Sequence, residues 1–146
     1  MTLLIMSLSK KNSKVIIDAR GKYKLQDNIL RGWARVDIVT IVGARPQFIK
    51  CSAFSKAINS THQTAQPLYE TIIHTGQHYD SAMSDNFFSE LEIPCPKYNL
   101  DISNGTHGSS TGRMLEGIEK VLLEESPQGV VVFGDTNSTL SGALAA

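Results

Sequence analysis

From Val36 onward, short β-branched runs alternate with stretches of helical period. Val36-Asp37-Ile38-Val39-Thr40-Ile41-Val42 is predicted to be a strand buried on both faces, closed by Gly43. A helix follows, with Pro46 at a first-turn position, where its missing N–H costs nothing, and with Phe48, Ile49, Ala53, Ala57 and Ile58 expected on one face. Residues 71–75 read as a second strand ended by Gly76. Residues 81–91 read as a helix burying Met83, Phe87, Phe88 and Leu91, stopped by Pro94 and Pro96. Residues 98–102 give a short third strand, and 103–110 a polar loop. The clearest helix covers about 110–125: Met114, Leu115, Ile118, Val121 and Leu122 form one stripe, with Glu116 and Lys120 paired on the other face. Gly129-Val130-Val131-Val132-Phe133 is a further buried strand, and a last helix carries Leu140 and Leu144.

Strands alternating with helices predict an α/β fold, a Rossmann-like parallel sheet with helices on both faces. Right-handed crossovers put the loops after the strands along one edge, where open α/β sheets bind ligands. No strand follows the last helix in this sequence, so an unpaired edge is expected beside Gly129–Phe133. The first 35 residues show no sustained period. Residues 14–19 suggest a short strand and 25–33 a helical turn or two, without a core-facing stripe in either.

Charge draws the same boundary. Residues 1–35 hold eight basic and two acidic side chains, and the remainder holds six basic and twelve acidic, for a net charge of zero. The chain therefore divides into 1–35, a basic extension expected to be poorly ordered, and 36–146, a partial N-terminal Rossmann-like domain. A poorly ordered arm is the preferred reading over nucleic-acid or membrane binding.

The length of 146 residues suits one domain, and 41% apolar with 19% charged residues suits a soluble protein. No apolar run approaches the roughly 18 residues of a membrane span, and the opening stretch at 3–8 lacks a basic lead and a cleavage site. Cys51 and Cys95 make no disulfide framework and no C-x-x-C pair. A cytoplasmic location is expected, and the N-x-[ST] triplets at Asn59, Asn104 and Asn137 read as chance.

Three loops at the ligand edge carry candidate chemistry. Gly43-Ala44-Arg45-Pro46-Gln47, with Lys50, sets a glycine turn, a guanidinium and an ammonium around a helix N-terminus. That is a phosphate-binding arrangement, or a plain strand–helix turn with a surface arginine. It matches neither a P-loop nor a dinucleotide fingerprint. Gly76-Gln77-His78 follows the second strand, and His78 reads as a proton carrier, a sugar contact or a solvated loop residue. His62, His74, His78 and His107 show no metal-ligand spacing, so no metal is expected. Gly134-Asp135-Thr136-Asn137-Ser138-Thr139 offers a carboxylate beside hydroxyls: Asp135 is placed for acid–base work, and Thr136, Asn137 or Ser138 for capping a helix.

In this order, the segments Ile41-Val-Gly-Ala-Arg-Pro-Gln-Phe-Ile-Lys50, His74-Thr-Gly-Gln-His78, Thr111-Gly-Arg-Met-Leu-Glu-Gly-Ile118 and Val132-Phe-Gly-Asp-Thr-Asn-Ser-Thr-Leu140 resemble the non-hydrolysing UDP-N-acetylglucosamine 2-epimerases. The resemblance covers about 36–146. It implies the N-terminal domain of a glycosyltransferase-B-like fold and inversion at sugar C2 by elimination and re-addition of UDP, with no cofactor and no metal. It implies Asp135 in the acid–base set, Arg45 and Lys50 on the UDP-sugar, and Gln77, His78 and Arg113 around the substrate region. Homodimers, a UDP-sugar substrate and a role in cell-surface polysaccharide biosynthesis are implied in the same way. The Gly-Ala-Arg-Pro-Gln spelling leans toward relatives acting on UDP-2,3-diacetamido-glucuronate, and Ala53 replaces a common proline. The family's next segment, His-Val-Glu-Ala-Gly-Leu-Arg, brings another carboxylate and is not in this sequence. The chain alone is therefore expected to be inactive, with a truncated product or a subunit needing a second chain as the non-enzymatic alternative.

Overall fold

The computed structural model describes residues 3–7, 35–63, 65, 67–76, 88 and 90–146. In chain order the elements are β1 (Leu3–Ser7), β2 (Val36–Val42), α1 (Arg45–Ser60) with a 3-10 turn at Thr61–Gln63, β3 (Leu68–His74), β4 (Tyr98–Asn99), α2 (His107–Glu125), β5 (Gly129–Phe133) and α3 (Asn137–Ala145). The sheet order is β1-β5-β2-β3-β4. β5, β2, β3 and β4 are mutually parallel, whereas β1 runs antiparallel along β5.

The β-branched runs form strands because both their faces are covered. Every residue of β5 is buried, and β2 is buried throughout except at Asp37. On one side, Phe48, Cys51 and Ile58 of α1 pack with Val42, Ile72 and Phe133. On the other, Met114, Ile118, Val121 and Leu122 of α2 pack with Val39, Ile41, Ile73, Val130 and Val132. Ile118 is fully buried, and a side chain of its size stabilises by about 1.5–3 kcal/mol on burial. α3 lies on the α2 side through Gly142, where a methyl group would sit 2.7 Å from Ile41 Cδ1 and 2.8 Å from Val132 Cγ1.

Several expectations are corrected. The stripe expected on α1 is wrong: Ile49, Ala53 and Ala57 are exposed, and the buried face is Gln47, Phe48, Cys51, Ser52, Ser55 and Ile58. Small polar residues can occupy that face because they find partners, as when Ser52 Oγ donates to the Leu91 carbonyl at 2.7 Å. α2 starts at His107 rather than near 110, because Thr106 caps it by accepting from the Ser109 N–H. Leu140 and Leu144 of α3 face solvent. The edge expected to stand open beside β5 is covered by β1, an element not read from the sequence. Residues 14–19 and 25–33, and nearly all of the 81–91 helix, lie outside the described residues. Phe88 from that helix is described and buried.

Candidate functional site

The loops after β2, β3 and β5 meet over Gly43. Its α-hydrogen side is so closely approached that a methyl group would lie 2.1 Å from Ser138 Oγ and 2.4 Å from Thr75 Oγ1. Those two hydroxyls are themselves hydrogen-bonded at 2.8 Å, joining the end of β3 to the first turn of α3. Only glycine fits between them.

Gln47 is the second fastening. Its Oε1 accepts from the N–H groups of Gly43 at 2.7 Å and Ala44 at 3.0 Å, capping α1 where Ala44 has no side chain to do so. Its Nε2 donates to the Phe133 carbonyl at 2.6 Å and to Thr136 Oγ1 at 2.9 Å. One buried amide therefore ties the turn carrying Arg45 to the turn carrying Asp135. The sequence shows this glutamine only as a motif letter. Its signal was an uncharged donor–acceptor three residues into a helix whose cap position is alanine.

Around this knot, Arg45 is the first residue of α1 and is exposed, and Lys50 is half-buried in the second turn. Asp135 is exposed in the turn after β5, and the cap of α3 is Thr136, which accepts from the Thr139 N–H. Asp135 thus has no capping duty. Arg113 lies in the second turn of α2 and donates to the Asn104 carbonyl. Asn137 Nδ2 and His107 Nδ1 are 3.2 Å apart, linking the first residues of α3 and α2, a contact the sequence did not suggest. Gln77 and His78 lie outside the described residues.

His74 closes β3 just below the edge. It stacks on Phe48 with ring centroids 5.3 Å apart and meets Phe88 edge-on. Burial pushes its pKa down to about 4, against a hydrogen bond with Asn99. Its Nδ1 accepts from the Gly76 N–H at 2.9 Å, so the neutral ring holds the start of the Gly76 loop. The N-termini of α1, α2 and α3 all open toward this side, giving partial positive charge beside Arg45 and Lys50. An anionic group with a sugar attached suits that field. Among the described residues, no cluster of His, Cys, Asp and Glu could hold a metal ion, and no helix is long and apolar enough to cross a membrane.

A sequence profile described as UDP-N-acetylglucosamine 2-epimerase matches residues 60–146. The chain belongs to this epimerase family. It is 62% identical over 109 residues to the UDP-2,3-diacetamido-2,3-dideoxy-D-glucuronate 2-epimerase of Pseudomonas aeruginosa, covering 75% of this chain and 30% of that protein. It is 53% identical over 106 residues to the UDP-N-acetylglucosamine 2-epimerase of Methanocaldococcus jannaschii, covering 73% of this chain and 28% of the relative. The crystal structure of a Methanocaldococcus jannaschii UDP-GlcNAc 2-epimerase with UDP-GlcNAc and UDP superimposes with a TM-score of 0.67 at 50% identity, over 75% of this chain and 29% of that one. The chain thus spans about 30% of the length of these epimerases, as a partial α/β domain of their fold.

Proposed function

We propose that residues 36–146 supply the N-terminal wall of a UDP-sugar site in a 2-epimerase, with residues 1–35 as an extension separate from it. The observation that carries this reading is the Gln47 amide, which sets Arg45 and Asp135 on one rigid edge of the sheet. Arg45 and Lys50, at the N-terminus of α1, take the diphosphate by charge-assisted hydrogen bonds. Asp135 carries a proton at sugar C2. Loss of the C2 proton and cleavage of the C1–O bond to UDP give a 2-acetamidoglucal. Re-addition of UDP at C1, with protonation of C2 from the opposite face, gives the epimer. Gln77, His78 and Arg113 line the substrate side. The working enzyme is a cytoplasmic homodimer that needs no metal or other cofactor.

One carboxylate and one wall do not stabilise that transition state, so the 146-residue chain by itself is inactive. The test joins it to the remainder of the Methanocaldococcus jannaschii relative and follows interconversion of UDP-GlcNAc and UDP-ManNAc. Turnover by the chimera and none by the chain alone is the expected result. Robust turnover by the chain alone overturns it.

The 62% identity to the Pseudomonas aeruginosa protein favours a second reading, with UDP-2,3-diacetamido-glucuronate as the sugar nucleotide. Assaying the same chimera on both substrates separates the two.

A further inference from the structure

β1 occupies a place that the topology reserves for something else. β4 and β5 lie on opposite sides of the β2–β3 pair, and α2 makes the crossover between them. From that switch onward the sheet grows away from β2, because the other side of β5 is taken by the pairing of Ile38–Ile41 with Gly129–Val132. α3 packs on the same face as α2. A right-handed crossover out of α3 therefore delivers a parallel strand to the outer edge of β5. In this structure that edge is held by residues 3–7 of the same chain, antiparallel, with Leu3 opposite Phe133, Ile5 opposite Val131 and Ser7 opposite Gly129. All five residues of β5 are covered, so no part of its edge is left for a second strand.

We propose that β1 is a detachable self-cap on a strand-accepting edge, and that its competitor is an apolar strand adding parallel to β5 from the remaining part of the epimerase fold. β5 is apolar after its first residue and buried on both faces, and such an edge left bare recruits other chains. Leu3-Leu4-Ile5-Met6 supplies an apolar strand of matching length from the chain itself. The two occupants exclude each other, since the antiparallel and parallel ladders use the same N–H and C=O groups of β5. The proposal does not depend on any residue's catalytic role.

The test uses the full chain and a Leu4→Pro/Ile5→Pro variant, because of two adjacent residues in an edge strand one donates its N–H to the neighbour. Hydrogen exchange should be at least 10-fold faster in the variant at the β5 amides pointing away from β2, and unchanged at those pointing toward it. The probe for the competitor is the part of the Methanocaldococcus jannaschii relative that this chain does not cover. In co-purification the variant should retain it at least 10-fold better than the natural chain. A disulfide clamp checks the result without disturbing the fold: in Ile5→Cys/Val131→Cys with Cys95→Ser, the oxidised chain should reject the probe and the reduced chain accept it. Equal protection of β5 in the natural and proline chains overturns the cap. Equal retention by oxidised and reduced clamp, including none by either, overturns the competition.

Discussion

Replacing Gln47 with leucine tests whether one side chain holds the candidate site together. Leucine fills nearly the same volume in this buried position, so the change reads the hydrogen bonds rather than a cavity. The Phe133 carbonyl keeps a donor in Thr139 Oγ1 at 2.6 Å, and Thr136 Oγ1 keeps the Thr139 N–H. The uncompensated groups are therefore the two amides that faced Oε1. The Gly43 N–H lies in the buried knot, and a buried unsatisfied donor costs about 1–3 kcal/mol. The Ala44 N–H is half-buried at the helix cap, and losing a cap costs about 1 kcal/mol. Together the loss is about 2–4 kcal/mol, a large part of the roughly 5–15 kcal/mol that holds a domain folded. Urea unfolding followed by circular dichroism should show a lower midpoint with an unchanged slope, and Gly43 should lose exchange protection. A loss under about 0.5 kcal/mol, within the range of ordinary surface substitutions, would refute the claim that this amide fastens the two loops.

Three further outcomes follow from side chains already described. Glu70 has its pKa raised, first by burial, against hydrogen bonds from Ser55 and Thr40, and its Oε2 has no partner. Its folded value lies above the unfolded one, so its contribution is fully present below the unfolded pKa and is lost as pH rises through the folded value. Glu70→Gln should therefore flatten the fall in melting temperature between acid and neutral pH, and an unchanged profile would show the carboxylate to be solvated. Burial, then the charge of Glu70, pushes the Cys51 thiol up to about 12, whereas Cys95 is exposed. A maleimide or Ellman titration of the native chain at pH 8 should count one thiol, with the second appearing only in denaturant. In the active chimera, Asp135→Asn should cost about 10²–10⁴ in rate. It should leave the melting temperature unchanged, because Thr136 and not Asp135 caps α3; full activity would remove Asp135 from the reaction.

The strands were legible because burial on both faces leaves an unbroken β-branched run: β2 and β5 have the bounds their sequences suggested. The buried stripe of α2 was legible too, because four apolar side chains recur at helical spacing. α1 misled because its inward face is built from Gln47, Cys51, Ser52 and Ser55, whose burial depends on partners from Leu91, Phe133 and Thr136. No local pattern announces partners that arrive from far along the chain. β1 was hidden for a similar reason, since a five-residue apolar run takes its structure from the edge it pairs with. In the site, Arg45, Lys50, Asp135 and Arg113 could be picked out by residue type and loop position. The residues that hold those loops, Gln47, Thr75, Ser138 and the His107–Asn137 pair, show themselves only in three dimensions.

The contact of Ser138 and Thr75 over Gly43 also bears on how such a site can diverge. Three loop roots share a space too small for one additional methyl group, so a change at any root demands simultaneous changes at the others. Substitutions that alter sugar preference one at a time are thereby confined to the rim, where Arg45, Asp135 and Arg113 are exposed. Lineages that part in substrate should then keep identical roots and differ at the tips. A collection of functional variants selected from random mutagenesis would show this directly, as tolerance at rim positions and none at Gly43.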